Sequence, residues 1–179
     1  MQRITTVDIN SAPEGSRPVM EQIKGKFGRV PNIFATVANS PAALKALMAL
    51  FGTLEESELA GKPHEAIALR IGELNGCKYC TAAHTAKAKM AGATEDETIA
   101  YRKGESDDPK IKALLDLADS LNKSRGAISD EELAAARAAE LSDGEILETL
   151  AIVICNIYTN SINALVKTEL DFPAAPPLE

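Results

Sequence analysis

Apolar residues recur every three or four positions through most of this chain, and helix start and stop signals divide the recurrence into segments. That period is typical of a helix face packed on a core, whereas a half-buried strand alternates every two residues. The pattern predicts helices over 17–27, 41–54, from Pro63 to the Asn75-Gly76 turn, 77–90, from Asp108-Pro109 onward, over 131–139 behind Ser129, and last behind Ser142. The sequence therefore predicts an all-α fold.

The last helix is the ambiguous one. It contains Ala151-Ile152-Val153-Ile154-Cys155, which by propensity alone could be a buried strand. Apolar residues continue on both sides of this run, from Ile146 to Leu165, at spacings of three and four. We therefore expect a helix that is buried on most of its circumference.

Length and composition agree with one helical domain over 1–179. Hydrophobic residues make up 45% of the 179 residues, enough for a core, while aromatic residues make up 4% and Trp is missing. Few aromatic side chains and many alanines favour close-packed helices over a β-sandwich. We expect 1–16 to be an N-terminal extension and the proline-rich 171–179 to be an extended surface tail.

Charge and cysteine content limit the possible partners and compartments. The 19 basic and 26 acidic residues give a net charge of −7 with no basic block, which argues against binding to nucleic acid or to an anionic membrane. No run of about 18 apolar residues or signal peptide stands out, so we expect a cytoplasmic protein. Three cysteines, an odd number, argue against a structural disulfide framework.

The reactive residue types are concentrated between Glu65 and His84. Cys77, Cys80 and His84 are spaced three and four apart, so they share one face of a helix. Their Cβ atoms would lie about 5–6 Å apart, whereas a disulfide needs roughly 3.5–4.5 Å. A Cys77–Cys80 bond would therefore be somewhat strained. A strained, exposed disulfide is easily reduced and suits redox cycling.

Glu65 lies on the preceding helix, about 15 Å from the Asn75-Gly76 turn, and His84 lies about 10 Å beyond Cys77. If the two helices fold back on each other, Glu65 comes roughly level with His84, and Gly72 lets the helices approach closely. The sequence predicts a proton-transfer line from Glu65 through His84 and Cys80 to Cys77.

A metal site and a haem-attachment site are the alternative interpretations of these residues. Cys77, Cys80, His84 and Glu65 could supply four ligands to zinc, although three of them on one helix fit a tetrahedral site badly. Haem attachment is excluded because Thr81 stands where that motif needs His. We predict no metal and no cofactor.

Four further residues are expected to be structural. His64, at a helix N-terminus where a cation is unfavourable, is predicted to lie at the surface. Cys155 is predicted to be an inert core thiol. Asn156 and Asn160 are predicted to satisfy polar groups between helices.

The pattern Glu65, eleven residues, Cys77-x-x-Cys80-x-x-x-His84 resembles the AhpD-like alkylhydroperoxidase motif of the carboxymuconolactone decarboxylase superfamily. Further segments are similar to its peroxidase-related branch: 26–34 (KFGRVPNIF), 40–43 (SPAA), 156–160 (NIYTN) and 171–173 (DFP). The resemblance spans about 17–173.

The resemblance implies a helical bundle with a CxxC hairpin, a homo-oligomer (dimer, trimer or hexamer) and thiol-dependent reduction of hydroperoxides. It implies that Cys80 attacks peroxide, that Cys77 resolves the sulfenic acid, and that Glu65 and His84 relay protons. It implies as partners a small hydroperoxide and an external dithiol, either a lipoyl group or a thioredoxin-like protein. The position of Cys77 at a helix N-terminus, taken alone, favours Cys77 as the more acidic thiol.

Tyr79 departs from the family pattern, which often has His before the second cysteine. With a reference pKa near ~10, a tyrosine is a weaker proton shuttle at neutral pH. Tyr79 is therefore a candidate member of the proton relay. Its presence in place of His affects the expected rate of peroxide reduction and the expected identity of the reductant.

Three other functions remain open from the sequence. One is a decarboxylase or lactone-processing enzyme on the same fold, which would not need both cysteines. Another is a thiol–disulfide exchange partner of a peroxiredoxin. The third is a non-catalytic, zinc-stabilised helical module.

Overall fold

Short turns separate a series of α-helices that runs from residue 17 to residue 166 of the computed structural model, which describes residues 1–178. A 3-10 turn, Glu14–Ser16, precedes them. The helices are α1 (Arg17–Phe27), α2 (Asn32–Val37), α3 (Pro41–Leu54), α4 (Lys62–Leu74), α5 (Lys78–Met90), α6 (Glu95–Lys103), α7 (Pro109–Ser124), α8 (Asp130–Ala138) and α9 (Asp143–Val166). Over residues 1–178 no strand occurs, which confirms the all-α prediction.

Side-chain caps explain where several helices begin. Ser40, Asp108, Ser129 and Ser142 each accept a hydrogen bond from a backbone N–H in the first turn, and the helices predicted behind Ser129 and Ser142 are confirmed. The helix predicted at 131–139 is shifted by one residue, because Ser129 itself is the cap. The helix predicted from Cys77 begins at Lys78, because Cys77 acts as the cap and its Sγ accepts from the Cys80 N–H at 3.2 Å.

Two helices were not predicted. The turn expected at 29–32 gives way to α2 at Asn32, and this helix is only six residues long, too short to show a period. Helix α6 is stabilised by a capping box in which Thr94 and Glu97 exchange side-chain and backbone hydrogen bonds. The same Ser/Thr-x-x-Glu pattern identified α8, so α6 had a signal in the sequence.

Helix α4 is the central helix of the bundle and packs against α5, α6, α7 and α9. Its residues Ala66, Ile67, Ala68, Leu69 and Ile71 are fully buried. One face of α4 joins α7 and α9 in the largest apolar cluster, and another joins α6 and α7. A helix enclosed on this many sides is held rigidly, which matters because Glu65 lies on it.

Helices α4 and α5 form the predicted hairpin through Asn75 and Gly76, which has a positive φ of 65°. Gly72 lies where they touch. A Cβ added there would be 3.3 Å from Thr81 Cγ2 and 3.5 Å from Cys80 Cβ. The glycine therefore permits the close approach that was predicted.

Helix α9 confirms the helical interpretation of the Ala151–Cys155 run, with Ile152, Val153 and Cys155 buried in the core. Within residues 1–178 it is the one helix long and apolar enough to cross a membrane, with a mean hydropathy of 1.5. Half of the most apolar 18-residue stretch of this helix is buried inside the protein. The central helix of a packed core can have the same length and hydropathy as a membrane-spanning helix.

The chain beyond α9 is irregular, as predicted, but it is not simply a surface tail. Asp171 forms an ion pair with Arg29 and accepts from the Asn32 backbone N–H at 2.9 Å. The Arg102 guanidinium donates to the Pro176 carbonyl. These contacts hold the tail segment 167–178 against the bundle; residue 179, the end of the predicted tail, lies outside the described residues.

Candidate active site

The α4–α5 hairpin brings Glu65 and His84 together. Glu65 lies in the first turn of α4 and His84 in the middle of α5, and the Glu65 Oε2 to His84 Nδ1 distance is 2.6 Å. Both side chains are buried. The predicted levelling of these two residues across the hairpin is therefore observed.

Lys87 completes this cluster and was not predicted. Its Nζ lies 2.9 Å from Glu65 Oε1, so Glu65 uses one carboxylate oxygen for His84 and the other for Lys87. Lys87 Nζ also lies 5.8 Å from the centroid of the Phe51 ring. The i, i+3 spacing of His84 and Lys87 on one helix face was the available signal.

His84 and Lys87 hold Glu65 ionised. Burial raises the pKa of Glu65, but the charge and hydrogen bond of His84 and the charge of Lys87 outweigh it and lower that pKa to about 2. Because an ionised carboxylate can only accept, the His84 Nδ1 must carry the proton of this bond. Nε2 is therefore the ring nitrogen that remains free to accept a proton.

Cys77 and Cys80 form a disulfide, with an S–S distance of 2.02 Å and a Cα–Cα distance of 5.3 Å. The bond was expected to be exposed, but Cys77 is 8% exposed and Cys80 only 3%. Both cysteines belong to an apolar cluster with residues of α1, α2 and α3, and side chains of α9 pack against this cluster.

A cavity of about 290 Å³ gives access to one of these sulfurs. Cys80 and His84 both line it, and among the described residues Cys77 does not. Exposed side chains at its edge, Gln22, Lys26 and Glu55, connect it to the surface. The rest of the wall is mainly apolar: Ile23, Phe27, Phe34, Met48, Phe51 and Phe172.

Asn163 of α9 touches the disulfide and was missed by the sequence analysis. Its Nδ2 lies 3.3 Å from Cys80 Sγ and 3.8 Å from Cys77 Sγ. Asn156, Asn160 and Asn163 follow each other at spacings of four and three, so they share a helix face. That stripe of amides on an apolar helix was the overlooked signal.

The two predicted asparagines behave differently. Asn160 Oδ1 accepts from Asn75 Nδ2 at 2.8 Å, which confirms a polar contact between helices α9 and α4. Asn156 Nδ2 instead donates to the Ile152 carbonyl of its own helix at 2.9 Å. The interhelical prediction is wrong for Asn156, because it lies beside core residues Val153 and Cys155, and its Oδ1 has no hydrogen-bond partner within residues 1–178.

Tyr79 is buried in the cavity wall rather than poised beside the sulfurs. Its Oη accepts from the Ile33 N–H at 3.4 Å, and its ring packs edge-on against Phe172 at 5.8 Å between centroids. Burial raises the pKa of Tyr79, and the nearby Asp171 carboxylate raises it further. The phenol is therefore protonated at neutral pH, and the contacts of Tyr79 fix the tail.

His64 contradicts the surface prediction, since it is only 6% exposed. Burial is the main reason that its pKa falls to about 4, so the imidazole is neutral at neutral pH. A neutral ring avoids the conflict with the positive end of α4 on which the surface prediction was based. Cys155 is a buried free thiol whose pKa burial raises to about 11, as expected for an inert core residue.

Residues 1–178 contain no group of three or more His, Cys, Asp and Glu side chains arranged to hold a metal ion. Cys77 and Cys80 would be two of the four zinc ligands, and they are joined to each other. The zinc-stabilised alternative gains no support from this geometry.

Comparison with known proteins agrees with the motif and the fold. The model of the carboxymuconolactone decarboxylase family matches residues 41–120, which include α4 and α5. An uncharacterized protein, YdfG of Bacillus subtilis strain 168, is 27% identical over 85 residues, which is 46% of this chain and 58% of that protein. This match thus spans under two thirds of the relative.

Solved structures resemble the whole chain. A peroxidase-related protein of Ralstonia eutropha JMP134, described as an alkylhydroperoxidase AhpD core, superposes with a TM-score of 0.83. It is 22% identical, and the match covers 95% of this chain and 92% of that one. The debrominase Bmp8, solved as a cysteine variant with 2,3,4-tribromopyrrole, gives a TM-score of 0.79 at 20% identity over 96% and 92%. This chain therefore shares the helical fold of these AhpD-like proteins, and its residues 41–120 are similar to the carboxymuconolactone decarboxylase family.

Proposed function

We propose that this protein is a thiol-dependent peroxidase that reduces small hydroperoxides through the Cys77/Cys80 pair, with Glu65 and His84 as its proton relay. The observation that carries the proposal is the shared position of Cys80 and His84 on the cavity wall, with His84 bound to an ionised Glu65. A redox sulfur, a base and an access route meet at this one place.

The first step oxidises Cys80. In the reduced protein, Nε2 of His84 accepts the Cys80 thiol proton, and the resulting thiolate attacks the terminal oxygen of the hydroperoxide. The O–O bond breaks, the sulfur is oxidised to a sulfenic acid, and the alkoxide leaves with the proton returned by His84. An alcohol, or water from hydrogen peroxide, is the product.

The second step closes the disulfide. The Cys77 sulfur attacks the Cys80 sulfenic acid, the S–O bond breaks and water leaves, which gives the oxidised state seen in the structure. An external dithiol, a lipoyl group or a thioredoxin-like protein, then reduces the disulfide by exchange and is itself oxidised.

The cavity supports the assignment of the two cysteines. A substrate in the cavity reaches Cys80 and His84, whereas Cys77 lies outside the cavity lining. Cys77 and Cys80 are both buried, and Cys77 is the slightly more exposed residue, 8% against 3%. These positions favour the family assignment over the helix N-terminus argument.

The cavity wall also favours organic hydroperoxides. Its aromatic and aliphatic side chains would bury the hydrocarbon part of such a substrate, and burial of apolar area contributes about 25 cal/mol per Å². Hydrogen peroxide gains nothing from this wall.

Reductive dehalogenation is a second candidate, favoured by the four phenylalanine rings on the cavity wall. The debrominase Bmp8 shares the fold and was solved with a brominated pyrrole. A Cys77/Cys80 dithiol could supply the two electrons that replace an aryl bromide by hydrogen, with bromide leaving and the disulfide forming.

Stopped-flow oxidation of the reduced protein tests the proposal. Free thiols are counted before and after mixing with hydrogen peroxide or cumene hydroperoxide, with no second enzyme present. The proposal expects two thiols lost per molecule and faster reaction with cumene hydroperoxide. No peroxide consumption without a peroxiredoxin would favour the exchange alternative, and bromide release from a bromopyrrole would favour dehalogenation.

The proposal includes a homo-oligomer in the cytoplasm. The exposed side of α9 carries the apolar residues Leu147, Ile154 and Leu165, which lie seven and eleven residues apart and so share one helix face. Such a stripe suits packing against a second copy, and sedimentation of the purified protein measures this directly.

A further inference from the structure

We propose that Asn163 is a catalytic residue whose side-chain amide stabilises the thiolate of Cys80. This inference rests on the proposed redox cycle of the Cys77/Cys80 pair. It adds to the active site a residue from α9, far from the α4–α5 motif in sequence.

The contact is direct. Asn163 Nδ2 lies 3.3 Å from Cys80 Sγ and 3.8 Å from Cys77 Sγ, both within hydrogen-bonding range for sulfur. Disulfide sulfurs carry no proton, so the amide makes an attractive contact only when its NH₂ group points at them. Its shorter distance is to Cys80, the sulfur on the cavity wall.

In the oxidised state, burial of the Asn163 amide reduces the stability of the fold, because its polar atoms are poorly paired. The residue is 6% exposed, and its Oδ1 is buried with no hydrogen-bond partner among residues 1–178. Its NH₂ group has only disulfide sulfur as acceptor, which is a weak acceptor. A buried polar group held this way destabilises the fold unless another state uses it.

The reduced state supplies that use. When an external thiolate attacks Cys77 Sγ, a new S–S bond forms there and the Cys77–Cys80 bond breaks. Its electron pair passes to Cys80 Sγ, which leaves as a thiolate beside the Asn163 N–H. Charged acceptors make stronger hydrogen bonds than neutral ones, so the amide binds the thiolate better than the disulfide. Asn163 does not contact the attacking sulfur of the reductant in this step.

The same hydrogen bond acts on the peroxide step. It increases the thiolate fraction of Cys80 at neutral pH, while His84 removes the proton. Asn163 and His84 therefore have separate roles, one as a donor to sulfur and one as an acceptor of its proton.

The test measures the Cys80 pKa without any peroxide. In a Cys77→Ser background, the rate of Cys80 alkylation by iodoacetamide is followed against pH by mass spectrometry. Adding Asn163→Leu removes the donor at similar volume. The matched control is Asn156→Leu, a buried asparagine of the same helix whose amide bonds to its own backbone.

We expect Asn163→Leu to raise the Cys80 pKa by about one unit, the size of a hydrogen bond to a charged group, and the control to leave it unchanged. An equal pKa in all three proteins, each folded by circular dichroism, would overturn the inference. If Asn163→Leu does not fold, Asn163→Ala decides, because it also removes the donor without adding a charge and must raise the Cys80 pKa. A shifted pKa in a protein that consumes no peroxide would uphold Asn163 and refute the peroxidase.

Discussion

The cavity has two walls of different chemistry and different origin in the sequence. The α4–α5 hairpin contributes the wall with Cys80, His84 and Lys87, which are close together in the chain. The opposite wall is apolar and comes from distant segments, with Phe27 in α1, Phe51 in α3 and Phe172 in the tail. Spacing within one hairpin sets the reactive groups, whereas tertiary packing sets what can reach them.

This comparison suggests that chemistry and selectivity are separable. Changes on the hairpin wall should affect every substrate, because in the proposed mechanism all substrates react at the Cys80 sulfur. Changes on the apolar wall should affect only substrates with a hydrocarbon part. The predictions below test this separation.

Replacing Cys80 should have the largest effect. We expect Cys80→Ser to abolish peroxide consumption, because no other reactive thiol lines the cavity within residues 1–178. Cys77→Ser should still react once and accumulate sulfenic acid, measured by trapping with dimedone and mass spectrometry. The opposite pattern, with sulfenic acid in Cys80→Ser, would exchange the roles of the two cysteines.

Replacing Glu65 should slow the reaction with every hydroperoxide. Glu65→Gln keeps the shape but removes the charge that orients His84, and we expect the rate of thiol oxidation to fall by about 10²- to 10⁴-fold. The control is Glu73→Gln, on the same helix, which pairs with Arg102 away from the cavity. Equal rates in Glu65→Gln and the control would remove Glu65 from the relay.

His64 should make the fold sensitive to mild acid. Its pKa is about 4 in the folded state against 6.5 in the unfolded chain. Its contribution to stability is therefore complete above pH 6.5 and is lost as pH falls toward 4, by about 3 kcal/mol in total. Glu65 acts in a lower window, between pH 4.5 and about 2.

Urea unfolding of wild type and His64→Phe between pH 7 and 4 measures this loss. The variant should lose less stability over that range, because it has no ring to protonate. Parallel curves for the two proteins would show that His64 can take up a proton without unfolding.

Shortening Phe172 should have the smallest effect and should distinguish substrates. We expect Phe172→Ala to raise KM for cumene hydroperoxide about tenfold through lost apolar contact, with the hydrogen peroxide rate unchanged. Leu170→Ala, an exposed residue of the same tail, is the control. An equal loss for both peroxides would mean that the tail supports the reactive wall too.

Helix geometry accounts for what the sequence could predict. Cys80 and His84 are one helical turn apart, and Glu65 reaches them across a two-residue turn, so their approach follows from rise and spacing alone. Caps such as Ser129 and Ser142 act within four residues and are equally local. Lys87 and α6 carried similar local signals that were overlooked.

The rest depended on packing between distant segments. No spacing rule relates Asn163 to Cys80, because their contact needs α9 to lie beside α5 at one rotation. His64 showed the same limit, since its burial comes from the bundle around α4 rather than from its own helix. The expectation of an exposed disulfide failed for this reason too.

The position of Phe172 has a consequence for biosynthesis. A ribosome makes Cys77 and Cys80 long before Asn163 and Phe172, so the nascent hairpin presents both thiols before α9 and the tail cover them. Until α9 and the tail are in place, the cavity is incomplete and cannot select which oxidants reach the cysteines. A chain that ended before residue 160 would contain Cys77 and Cys80 but would lack Asn163 and Phe172, which pack over them.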